Sequence, residues 1–193
     1  MIWLLLGCGG FALFFLYDVA DATGRLRPLR LGFAAGCALL LAATAAPVIS
    51  SLPRLAARPV AAVAGGILSL FFLALLLYTL FFALPFSATY APGSGPAPLC
   101  RTGVYALCRH PGVLWLSLFY FSLWLAAGSP ELFAAFLVYT VLDVAYALFQ
   151  DRWTFVRLFP DYREYRQETP FLLPTAASWR RCFHTLKKGG EAE

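Results

Sequence analysis

Arg109 and His110 stand side by side in the stretch T-G-V-Y-A-L-C-R-H-P, residues 102–111, with apolar segments on either side. A planar guanidinium that can grip a carboxylate sits next to an imidazole that titrates near neutrality, an arrangement fit to hold a ligand or handle a proton. At the mouth of an apolar run such groups are costly without partners. Partners follow later in the chain. Gln150 and Asp151 close the last apolar run, and Tyr162, Tyr165 and Arg166 lie in the polar stretch D-Y-R-E-Y-R. A carboxylate or amide there can hold an amine or the hydroxyls of a ribose. Tyr105 offers a flat ring, and Gly103 and Gly112 let backbone come close to a ligand. His110 alone, placed before Pro111, is an ordinary structural residue; the combination suits a zwitterionic ligand carrying an adenine ring. Asp143 adds a carboxylate inside the last apolar run, on about the helix face of Gln150 and Asp151. It has a functional reading, with Arg109 or a polar ligand as partner, and a plain one, with a hydrogen bond to Tyr139, Thr140 or a neighbouring helix.

The elements that must position these groups are apolar. The chain of 193 residues is 61% hydrophobic and 13% charged, about half the charge of a soluble domain. Charge is clustered, so long runs carry none, which implies an all-α polytopic membrane protein. The net charge of +5 then reports topology and attraction to anionic headgroups. No basic patch interleaved with aromatics points to nucleic acid. Cys8, Cys37, Cys100, Cys108 and Cys182 have neither the spacing of a zinc site nor that of a disulfide framework, so no metal is expected.

Five transmembrane helices are expected, over residues 2–17, 31–52, 60–84, 112–128 and 131–149. No Lys or Arg precedes the first, so it is read as a retained span and not a signal peptide. Gly7, Gly9 and Gly10, and the pair Gly65-Gly66, suggest close helix contacts, and Pro47 a kink. Asp18 to Arg30 reads as a charged connection, residues 53–59 as a short turn, and the Pro- and Gly-rich 85–100 as a loop. Residues 151–170 suit an interfacial helical segment broken at Pro160. The end, from Arg180, reads as a solvated or lipid-attracted terminus without chemistry. With five spans, 13 of the 15 basic residues fall on one side and only Arg54 and Arg58 on the other. The positive-inside rule then places the C-terminus, the first connection and the central loop in the cytoplasm and the N-terminus outside.

T-G-V-Y-A-L-C-R-H-P, an apolar span, an acidic site and F-P-D-Y-R-E-Y-R-Q-E-T-P-F-L-L-P together resemble the isoprenylcysteine carboxyl methyltransferase family, whose pattern the phospholipid methyltransferases share. The resemblance covers residues 99–174. It implies that S-adenosyl-L-methionine binds between the last two spans and the C-terminal segment, at Gly103, Tyr105, His110, Pro111, Gln150, Asp151, Tyr162 and Tyr165. Arg109, Asp151 and Arg166 become the catalytic candidates. Either arginine would orient a carboxylate acceptor, and Asp151 or His110 would take the proton of an amine or thiol. The expected partners are membrane lipid and a hydrophobic acceptor entering from the bilayer. Two departures stand out: Gln150-Asp151 occupies the place of the family's Glu-Glu pair, and Val113 that of a frequent Tyr. The altered pair leaves open a second class, a non-catalytic scaffold or regulatory protein of the same fold. A small transporter fits less well, because the polar residues sit at one face instead of the midplane.

Overall fold

The computed structural model describes residues 1–24, 31–83 and 99–189, and within these every element is helical. α1 runs Ile2–Thr23, α2 Gly32–Ser50, α3 Leu52–Ala57 and α4 Pro59–Leu77, the last extended by a π turn over Tyr78–Phe82. After one turn of helix, α5 Val104–Leu107, come α6 Pro111–Ala127 and α7 Pro130–Phe149. A second π turn, Gln150–Thr154, leads into α8 Phe155–Leu158, and α9 Tyr162–Glu168 and α10 Ala176–Gly189 complete the chain. Four helices are long and apolar enough to cross a membrane, and α6, at 17 residues, is a shorter apolar one. The molecule is a helical membrane protein.

Contacts fix the direction of each long helix. Gly10 meets Gly36, and Gly32 meets Leu13 and Tyr17, so α1 and α2 are antiparallel. Tyr120 against Tyr139 and Trp124 against Phe133 make α6 and α7 antiparallel, as their short link at Gly128-Ser129 requires. Gly65 at Ala126 and Thr79 at Trp115 make α4 and α6 antiparallel. α1 runs parallel to α7, with Phe11 on Tyr139, Phe15 on Phe149 and Asp18 beside Gln150. The centre is an aromatic cluster of Phe11, Phe14, Tyr120 and Tyr139. Within it Tyr120 and Thr44 share a 2.6 Å hydrogen bond, and the Tyr139 hydroxyl donates to the Trp3 carbonyl at 3.1 Å.

Several boundaries differ from expectation. α1 continues past Tyr17 to Thr23 and so carries Asp18 and Asp21, with polar side chains of the neighbouring helical segment beside Asp18. Residues 52–57 form a helical turn, with Pro53 near its start where its missing N–H goes unneeded. The central stretch 102–111 holds the turn α5. α7 runs straight on through the π turn, and the break falls at Phe159-Pro160. The terminus from Arg180 belongs to a helix packed on α5 through Cys182. Most of the expected 85–100 loop, with Arg25, Arg27 and Arg30, lies outside the described residues.

Candidate functional site

Pro111 at the first position of α6 fixes the start of that helix and leaves His110 just outside it, at the N-cap. Upstream, Cys108 is extended, so residues 108–110 lie as a short open strip. The strip pairs with the tail: the Arg109 N–H donates to the Pro170 carbonyl at 2.9 Å and the His110 N–H to the Phe171 carbonyl at 3.3 Å. This is how the T-P-F segment comes to lie against R-H-P, although 60 residues separate them in sequence.

The side chains converge on Asp151, which is 3% exposed. It sits in the π turn after α7, a local widening often found at functional sites. Arg109 Nε donates to Asp151 Oδ1 at 2.7 Å and Arg109 Nη2 to Oδ2 at 3.3 Å. The Tyr162 hydroxyl donates to Oδ1 at 2.7 Å, and Arg166 Nε stands 3.3 Å from Oδ2. Arg109 Nη1 donates to the carbonyls of Arg166 and Thr169, at 3.0 and 2.7 Å. All three nitrogens of Arg109 therefore donate within the protein, tying the strip to both later segments. The guanidinium also lies over the Phe171 ring, 5.6 Å from its centroid. Of the groups around Asp151, only Arg166 has an exposed side chain.

His110 is buried, its ring stacked parallel to Phe155 and edge-on to Phe171. Its Nε2 lies 3.5 Å from Asp151 Oδ1 and has no hydrogen-bond partner among the described residues. Burial holds the imidazole below its ordinary range, against the pull of Asp151, so the ring is neutral at neutral pH. A buried polar nitrogen without a partner invites a ligand atom. Burial pushes the Cys108 thiol up to about 12, which makes it a poor nucleophile. Tyr162 and Tyr165 are also pushed up by burial and stay phenols that donate hydrogen bonds.

The remaining expected residues lie nearby with other partners. The Tyr165 hydroxyl donates to the Tyr105 carbonyl at 2.6 Å, and the Tyr105 hydroxyl to the Thr79 carbonyl at 3.1 Å. Gly103 has φ of 58°, a conformation that favours glycine, and its N–H donates to Thr185 Oγ1 at 3.0 Å. Gln150 lies beside Asp18 on α1, as do Tyr146 and Thr154, and Asp18 Oδ2 and Thr154 Oγ1 have no hydrogen-bond partner among the described residues. Asp143 joins neither group and has no hydrogen bond or ion pair among the described residues. Neither suggested hydroxyl serves it: Tyr139 donates to α1 carbonyls, and Thr140 Oγ1 is itself unpartnered.

Sequence reasoning overlooked Asp18, Phe155, Thr169 and Phe171. The signal for Phe155 and Phe171 was aromatic content next to polar motifs; Asp18 had none for its role, which comes from the neighbouring helix. Compared with family models, curated proteins and solved structures, the chain matches none.

Proposed function

We propose that this chain is an integral-membrane methyltransferase that uses S-adenosyl-L-methionine and acts on a lipid-like or small hydrophobic acceptor. The observation that carries the reading is the meeting of Arg109-His110 with Asp151, Tyr162 and Arg166 at one end of the helical bundle. This is the constellation that the resemblance to the isoprenylcysteine carboxyl methyltransferases implies. The chain crosses the membrane five times, α6 included. The alternating directions of α1, α2, α4, α6 and α7 support this count. The N-terminus is outside and the C-terminus cytoplasmic.

The residues fit the cofactor at two points. His110 Nε2 is a buried nitrogen awaiting a partner, and Asp151 Oδ2 is covered on one side by the exposed, displaceable Arg166. Asp151 would hold an amine or ribose hydroxyl there, and His110 a second polar group. The bound sulfonium supplies an activated methyl group, so the protein's task is to place an acceptor in line with it. Arg109 holds the walls of the site together, and Arg166 orients an acidic acceptor.

Titrating the purified full-length protein with S-adenosyl-L-methionine or its demethylated product tests this. The expected result is saturable binding, weakened at least tenfold in Asp151→Asn and changed in Arg166→Ala, with the fold checked by thermal unfolding. No binding at millimolar ligand sinks it. That outcome favours the second reading, a non-catalytic scaffold, for which the closed network around Asp151 speaks: both its oxygens already have partners.

A further inference from the structure

α10 packs on α5 through Cys182, and Ser178 near its start is also buried, bonded to Thr175. Its remaining apolar side chains face outward. Trp179, Phe183 and Leu186 are 45%, 63% and 46% exposed, and their spacing puts them on one stripe of the helix. The stacked Trp179 and Phe183 rings form a continuous apolar surface. The helix sequence, A-A-S-W-R-R-C-F-H-T-L-K-K-G, holds four Lys and Arg and no acid. A basic helix with an aromatic stripe is built to lie in the boundary between headgroups and acyl chains.

Beside this stripe is a cavity of about 370 Å³, between α5, the end of α9 and α10. Arg101, Arg180, Arg181 and His184 line it, with Glu168 and Thr169 on the opposite wall. Arg181 Nη2 donates to the Glu168 carbonyl, while Arg181 Nε is shut off from solvent without a partner among the described residues. Arg101 is partly balanced by Asp161 and Glu164, 3.9 and 3.7 Å away. Arg180 and His184 have no hydrogen bond or ion pair among the described residues. At about 100° per residue they fall on the flank between the apolar stripe and Arg181. A ligand in the cavity therefore meets unpaired positive charge from α10, next to a surface that seeks hydrocarbon.

We propose that α10 and this cavity form a binding site for an anionic phospholipid of the surrounding membrane. The phosphate lies against Arg180 and Arg181, and the acyl region lies along Trp179, Phe183 and Leu186. The lipid fastens the end of the chain, and with it the T-P-F segment that pairs with Arg109 and His110, to the membrane surface. This site does not depend on the methyltransferase reading, since it uses other side chains.

The test is native mass spectrometry of the full-length protein in detergent with phosphatidylglycerol or phosphatidylcholine of matched chains. A basic residue near an anionic surface contributes about 1 kcal/mol, or about fivefold in affinity. Phosphatidylglycerol should bind preferentially, and Arg180→Gln, which breaks no hydrogen bond or ion pair among the described residues, should cut the preference about fivefold. Trp179→Ala with Phe183→Ala should weaken binding of both lipids. Equal retention of the two lipids overturns the proposal, as does a preference unchanged in Arg180→Gln and His184→Gln. Full displacement of phosphatidylglycerol by millimolar inorganic phosphate also overturns it, by assigning the cavity to a free anion.

Discussion

At position 151 one carboxylate faces two guanidinium groups, a phenol and an imidazole, while its neighbour at 150 faces a different carboxylate. The two adjacent residues divide because they lie about a third of a turn apart on the helix. Asp151 turns to Arg109 and Gln150 to Asp18. An uncharged amide at 150 suits this neighbour. A glutamate at 150 would bring a second carboxylate against the buried Asp18, and like charges in one site cannot both stay ionised cheaply. Gln150→Glu should therefore destabilise the protein by about 1–3 kcal/mol, seen as a lower thermal midpoint in detergent. Asp18→Asn in the same chain should restore it, as a double-mutant cycle would register. A single variant as stable as the parent would remove the Asp18–Gln150 contact from the account. The motif residues Arg109, His110 and Asp151 were legible because polar groups beside apolar runs stand out. Asp18 was not, because its role depends on α1 lying parallel to α7, and nothing local to residues 1–24 says so.

The spans were visible as apolar runs, and their ends were not. Hydropathy measures what a segment avoids, whereas a helix ends where its backbone finds other partners. α1 could therefore continue through Asp18 and Asp21, and the π turns at 78–82 and 150–154 had no sequence signal at all. Helix contacts were legible only in part. Of the adjacent pair Gly65 and Gly66, a Cβ on Gly65 would come within 2.8 Å of the Ala126 nitrogen and the Ser122 carbonyl, whereas one on Gly66 meets nothing within 4 Å. Small residues let transmembrane helices approach this closely. Gly65→Leu should push α4 off α6, with overpacking costing about 1–3 kcal/mol. Gly66→Leu faces open space and should leave stability unchanged. Comparing the two by thermal unfolding in detergent separates a packing effect from glycine replacement in general. Equal losses would mean that the α4–α6 contact does not depend on Gly65.

Viewed whole, the molecule has two unlike ends. At one, Arg54 approaches Glu131 at 4.0 Å and Arg58 reaches Gly128. At the other lie Arg101, Arg109, Arg152, Arg157, Arg163, Arg166, Arg180 and Arg181, together with the Asp151 network. The helix directions make this division physical, because the end of α6 and the starts of α4 and α7 meet at the first end, while the starts of α5 and α6 and the finish of α7 meet at the second. Arginine and lysine resist transfer across the bilayer and orient the chain, so the second end is predicted to be cytoplasmic. A fluorescent protein fused to the C-terminus should glow and a phosphatase fused there should stay inactive, the reverse of fusions placed after Ser129. A cysteine at Pro130 should react with an impermeant thiol reagent in intact cells, and one at Thr175 only after lysis. Labelling of both positions from outside would mean that α7 does not cross, whereas labelling at Thr175 with none at Pro130 would place the failure at α6, the shortest of the five long helices.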